Sequence, residues 1–242
     1  MPVERISVFD REMPNIGLYT RTTTQGEEHA LVMEFIEYYC DRFLSRNKVD
    51  KLAVFVEPRV SSGFPDIVFA WYAPAVMDNW SIDRTRLGTP DLKILSHLIL
   101  MRGSNGAGVI TALRMPERQV ITSLEKLIDA DLVSRVGHTW VPRELRDIYG
   151  IRRLVSVEAK VNNMRRVAEQ SFINTWFSSQ SYALTNTCNP QNETVQSLAK
   201  HGIGLYCKSG TFKKVIEARR LSLPSSYLSL QFNEWIGNAS LQ

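Results

Sequence analysis

Apolar positions along the chain follow two periods, and the switches between them mark out the elements. Over 27–44 they fall at Leu31, Val32, Phe35, Ile36, Tyr39 and Phe43, the spacing of one helix face. The runs 52–56 (LAVFV) and 64–72 (FPDIVFAWY) are continuous and β-rich, with Ser61-Ser62-Gly63 between them, and predict two adjacent strands. Helical spacing returns over 90–101, with Thr89 as an N-cap and Leu92, Leu95, Leu98 and Ile99 on one face. A short apolar helix over 109–113 and a third over 116–130 follow, the last opened by Pro116. Residues 132–141 then predict a hairpin with Gly137-His138 at its tip.

The stretch 154–162 (LVSVEAKVN) alternates strictly. Val155, Val157, Ala159 and Val161 predict an apolar inner face, and Ser156, Glu158, Lys160 and Asn162 an outer one. Beyond it the pattern predicts a helix over 164–180, a strand over 181–185, a helix over 193–201 and a strand over 202–208. An extended segment over 212–221 and a last helix over 227–236 close the chain, while 6–24 predicts an edge hairpin or capping segment. Strands alternating with helices imply an α/β domain with a mixed sheet, and 74–88 is a polar, irregular crossing. The expected organisation is one domain inserted in another: 1–80 and 150–242 form a discontinuous α/β domain around a module over 86–145.

Composition adds little to this. With 242 residues, 44% hydrophobic and 22% charged, the chain has ordinary globular proportions. A net charge of +4 and a sequence pI near 9.0 are compatible with a polyanionic partner. Cys40, Cys188 and Cys207 are odd in number and lack metal-type spacing, and the N-terminal MPVERISVFDRE has no apolar signal core. No run reaches the roughly 20 apolar residues of a membrane span, so the expectation is a cytoplasmic protein away from membranes. His29, His97, His138 and His201 are scattered without ligand spacing.

The chemistry sits on the strands. Glu158 and Lys160 place a carboxylate and an ammonium two residues apart, and Asp66 opens an earlier apolar strand, where it is costly to desolvate without a partner. Mg²⁺ prefers oxygen ligands and keeps several waters, so two carboxylates and a substrate phosphate suffice to hold it. The bland alternative is an ion pair between Lys160 and an acid. Pro90-Asp91-Leu92-Lys93 carries similar letters, but it opens a helix, where Asp is an ordinary first-turn residue.

Phe64-Pro65-Asp66 and Glu158-Ala159-Lys160 resemble the signature of the PD-(D/E)xK nuclease superfamily, which includes restriction endonucleases. The likeness spans about 27–73 and 154–208. It implies a restriction-endonuclease-like mixed sheet flanked by helices. In that family's terms Asp66 and Glu158 would ligate Mg²⁺, with Mn²⁺ a substitute, and Lys160 would orient or help deprotonate the attacking water. A helix glutamate often joins such sites, here Glu34 first, Glu37 second and Glu57 a lesser rival, and Gln170 matches a glutamine found on the following helix. Three short helices and a hairpin over 89–142 resemble a winged helix-turn-helix. Its expected DNA contacts are Arg114, Arg118 and Gln119 at the third helix and Arg135 and His138 in the wing. Arg152, Arg153, Arg165 and Arg166 flank the proposed site in sequence, where they could hold phosphates.

The expected function is thus a Mg²⁺-dependent endonuclease acting on DNA, in double-stranded form, as a homodimer or with a partner protein. The alternatives are a catalytically inactive DNA-binding regulator on the same fold and a nuclease subunit that needs a partner.

Overall fold

The structure, a computed structural model, describes residues 5–21, 25–161, 164–187 and 191–241. Cys188 and Asn162 lie outside the described residues, as does the 22–24 end of the first segment. In chain order the elements are β1 (Ile6–Phe9), α1 (Glu27–Arg46), β2 (Lys51–Val56), β3 (Ile67–Tyr72), α2 (Pro74–Asp78) and α3 (Thr89–Met101). They continue with α4 (Gly106–Leu113), α5 (Glu117–Asp129), β4 (Val133–Val136), β5 (Thr139–Pro142), α6 (Leu145–Ile148) and β6 (Ile151–Ala159). The last are α7 (Met164–Asn174), β7 (Gln180–Thr185), α8 (Asn192–Lys200), β8 (Gly204–Ser209), β9 (Thr211–Ile216) and α9 (Tyr227–Ala239).

The chain divides into two compact units, 1–72 with 151–225 and 73–150 with 226–242. The first is α/β, a mixed seven-stranded sheet in the order β1-β2-β3-β6-β7-β8-β9 with flanking helices. The helices cover both faces. Phe35, Tyr39 and Phe43 of α1 pack on Phe69, Val155 and Val157, with Tyr39 stacked on Phe69 at 3.8 Å between ring centroids. On the other face Val167 of α7 and Leu198 of α8 pack on Ala183 and Leu205. The outer face expected for 154–162 is therefore a second buried face, and Ser156 and Glu158 lie inside it. Alternation alone could not tell this case from a half-exposed strand, because the polar residues that face α7 are themselves buried.

Three further expectations are corrected. The opening segment is an edge strand, β1 pairing parallel with β2. The helix after β6 stops at Asn174, and its expected tail is a turn leading into Gln180. The last helix joins the second unit, where α9 buries Leu228, Leu230, Phe232, Trp235 and Ile236. A helix apolar on so many sides needs partners all round. Gly237 of α9 lies so close to the ring of Trp80 that an added Cβ would sit 2.0 Å from it. In that unit α3, α4 and α5 are followed by the two-stranded β4-β5 sheet.

Candidate functional site

The first unit holds the strand pair that matters. β3 and β6 are antiparallel neighbours with Ile67 opposite Val157, so Asp66, one residue before β3, stands opposite Glu158. Directly opposed residues point to the same face, which brings the two carboxylates together at one sheet end despite the 78 residues that separate the strands (73–150). An oxygen of Asp66 accepts the Ala159 backbone N–H at 2.7 Å. Lys160 follows the end of β6, and its Nζ lies 3.9 Å from the same Asp66 oxygen. It also donates to Glu28 at 2.9 Å and to the Ala159 carbonyl at 2.8 Å.

Burial sets the electrostatics. Asp66 is 8% and Glu158 2% exposed. Desolvation, then the charge of Asp66, pushes Glu158 up to about 8. Burial also raises Asp66, against the pull of the Ala159 N–H and the Lys160 ammonium. Asn174 of α7 donates to one Glu158 oxygen at 2.7 Å, while the other oxygen is buried, accepts no hydrogen bond from the described residues, and belongs to a carboxyl group whose hydrogen bond with Asp66 favours its protonated form. A carboxylate left half satisfied beside another carboxylate is a costly arrangement unless a shared proton or a cation joins it.

That orphan oxygen is the test of fit for Mg²⁺. Two carboxylates converge at one strand end, one with an open acceptor position, and the donor set is the oxygen chemistry a hard cation takes. Among the described residues no group of three or more His, Cys, Asp and Glu side chains forms a ready cage. Asp66 and Glu158 would hold the ion, with water and substrate completing its shell.

A cavity of about 360 Å³ opens beside the site, lined by Asp66, Glu57, Glu27, Glu28, His29 and Arg21 among others. Arg21 donates to Glu57 at 2.5 Å, and the carboxylates of Glu57, Asp66 and Glu158 together raise the Arg21 guanidinium above its ordinary value. Glu57 has a left-handed backbone, φ 47°, at the end of β2.

Not every expected residue arrives. Glu34 is exposed and pairs with Lys208 of β8. It lies six residues beyond Glu28, about 9 Å along α1 and well round the helix, so the register that aims Glu28 at Lys160 aims Glu34 elsewhere. Glu37 is exposed as well, while Glu57 lines the cavity. Gln170 lies one helical turn before Asn174 on the same side of α7, with its carbonyl oxygen buried and unpartnered. Arg165 and Arg166 are exposed in the first turn of α7, Arg165 paired with Glu169. Arg152 and Arg153 do not flank the site in space. They open β6 while Glu158 closes it, about 17 Å away at ~3.3 Å per residue. Arg152 pairs there with Asp50 at 2.8 Å.

Glu28, Arg21 and Asn174 were missed. Asn174 carried a signal, a polar residue four positions after Gln170 on the helix face that Val167 and Ser171 bury. Glu28 and Arg21 carried none, because nothing local says which end of α1 meets the sheet end. Asp91 behaves as an ordinary first-turn acid: it accepts the Gly88 N–H at 2.8 Å and pairs with Lys126 at 3.4 Å.

In the second unit Arg114, Arg118, Gln119, Arg135 and His138 are all exposed. Arg118 and Gln119 line a groove with Arg86 and Lys126. Arg135 lies over the Trp140 ring at 5.4 Å. No helix is long and apolar enough to cross a membrane among the described residues.

No protein-family model, curated protein or solved structure matches the chain.

Proposed function

We propose that the chain is a Mg²⁺-dependent nuclease of the PD-(D/E)xK type that hydrolyses phosphodiester bonds in DNA. One observation carries the reading: Asp66 and Glu158 oppose each other at the ends of paired strands, with the Lys160 ammonium 3.9 Å from Asp66. Bound Mg²⁺ supplies a Lewis acid that polarises the phosphate and lowers the pKa of a water it carries. Asp66 and Glu158 hold the ion, and Asn174 fixes the Glu158 carboxylate from behind. Lys160 presents a point charge to the scissile phosphate and the attacking water. Glu28 positions that ammonium. Arg165 and Arg166 lie after the site strand, where they meet flanking phosphates. The second unit acts as a winged helix-turn-helix on duplex DNA through Arg118, Gln119, Arg135 and His138.

The test is incubation of plasmid DNA with the protein and Mg²⁺ beside a Lys160→Ala variant and an EDTA control. The proposal expects cutting by the wild type alone. Equal cutting by both proteins, or none by either on any DNA form, sinks it.

A second reading has its own observation. Lys160 is already engaged by Glu28 and the Ala159 carbonyl, as a purely structural ion pair would be. A DNA-binding regulator on this fold then binds duplex in EDTA as tightly as in Mg²⁺ and never cuts.

A further inference from the structure

The far end of the first unit's sheet carries a second constellation. Trp71 and Arg153 are cross-strand partners on β3 and β6, and the Arg153 guanidinium lies 5.1 Å from the Trp71 ring centroid. Tyr39 of α1 sits beneath and accepts the Trp71 indole N–H at 3.1 Å. Arg42 and Arg46, on the last turns of α1, and Lys214 of β9 complete the rim of this aromatic-floored pocket.

Some arginines of this unit are held by carboxylates. Arg21 is held by Glu57, and Arg152, next to Arg153 on the same strand, by Asp50. Arg42, Arg46 and Arg153 have no carboxylate within ion-pair distance among the described residues, and the Arg153 Nε donates only to the neutral amide of Gln180 at 2.7 Å. The carboxylate on the border, Glu217, is taken up by Lys214 and by the Tyr182 hydroxyl. Four cations around one pocket repel one another, and a single paired carboxylate does not offset them. The aromatic floor shields one side from water, which strengthens their field on anything that enters. Guanidinium planes suit the oxygens of a phosphate better than those of a hydrated small anion.

We infer that this pocket binds a backbone phosphate of the nucleic acid, as a second contact separate from the Asp66–Glu158 site. The inference rests on the nucleic-acid reading above and extends it. Asp66 and Trp71 are five residues apart on their strand, so the two ends are about 17 Å apart. That is about five nucleotide steps at 3.4 Å per phosphate along one strand.

The test uses the whole chain and a fluorescent 20-base-pair duplex in EDTA, titrated at several salt concentrations. The variants are R42Q/R46Q, which alters only exposed side chains, and R42Q/R46Q/R153Q. Loss of one phosphate contact flattens the slope of log affinity on log salt by about 0.9, so the triple variant should lose about one slope unit and bind about tenfold more weakly at low salt. Unchanged affinity and slope in the triple variant overturn the proposal. Inorganic phosphate binding that disappears in the triple variant while duplex binding stays intact assigns the pocket to a free anion and overturns it too. Because EDTA removes cutting from the measurement, failure of the nuclease reading shows up separately, as the absence of cleavage by the wild type in Mg²⁺.

Discussion

Two buried charge clusters, one in each unit, are built on opposite principles. In the second unit Arg84 and Glu234 form a two-pronged pair, at 3.0 Å through Nε and 2.6 Å through Nη2. Arg84 also donates to the Ile148 carbonyl at 2.9 Å and lies 3.4 Å from the centre of the Trp80 ring. Each charge there meets its opposite, and both Glu234 oxygens accept from Arg84. In the first unit Asp66 and Glu158 bring together two acids that repel when both are ionised, and one Glu158 oxygen accepts nothing from the described residues. Burying a charge is tolerable when it is paired and costly when it is not. The first cluster therefore reads as architecture, and the second as a site that a ligand completes.

The comparison breaks most visibly at the chemistry. Glu158→Gln and Lys160→Ala should each lower Mg²⁺-dependent plasmid cleavage by about a hundredfold or more, the scale of removing one preorganised charge from a reacting site. Glu34→Gln should leave the cleavage rate within about twofold, since that residue pairs with Lys208 away from the site. Equal losses in Glu34→Gln and Glu158→Gln would show that the strand-end geometry does not govern activity.

Stability comes next. Glu234→Ala strands Arg84 in the interior and should cost ~3–5 kcal/mol, read as a fall of roughly 10 °C in the melting temperature. A loss under ~1 kcal/mol would mean that the pair is not what holds that cluster together.

The like-charge cluster should respond in the opposite sense. Glu158 is raised from 4.5 to about 8, so between those values the folded chain keeps a proton that the unfolded chain has released. Its contribution to stability is therefore greatest below about pH 4.5 and declines as pH rises toward 8. In EDTA, Glu158→Gln should remove that slope and raise the melting temperature at pH 8 by a few °C. A lower melting temperature at pH 8 would contradict the burden assigned to this carboxylate.

The smallest effect concerns Glu28, which touches Lys160 but not Asp66 or Glu158. Glu28→Gln should slow cleavage about threefold to tenfold and leave the melting temperature within about 1 °C, because an ion pair whose carboxylate is half exposed stabilises little.

How far the chain could be read from its letters follows from where each signal lay. β2, β3 and β6 were legible because their periods are local, and Asp66, Glu158 and Lys160 stood out as candidates because each is a charged residue in or beside the end of an apolar strand. The pairing of β3 with β6 is a long-range fact, and only the register of Ile67 with Val157 places Asp66 opposite Glu158. The helix pattern of α1 points to Glu34 ahead of Glu37 and does not single out Glu28, because it gives a face but not its distance from a sheet end. Arg153 is near Glu158 in sequence but not in space, because the two lie toward opposite ends of the nine-residue β6. The burial of the Glu158 face was hidden for a different reason. The residues that cover it, Asn174 and Ser178, are polar, so the packing left no apolar trace.

The central claim is that Asp66 and Glu158 share a divalent cation. A crystal soaked in Mn²⁺ and measured for anomalous scattering tests it most directly. The account predicts one strong peak within about 2.0–2.4 Å of carboxylate oxygens from both residues, including the Glu158 oxygen that now accepts nothing. A map with no peak between them, and Glu158 still bound only by Asn174, would contradict it.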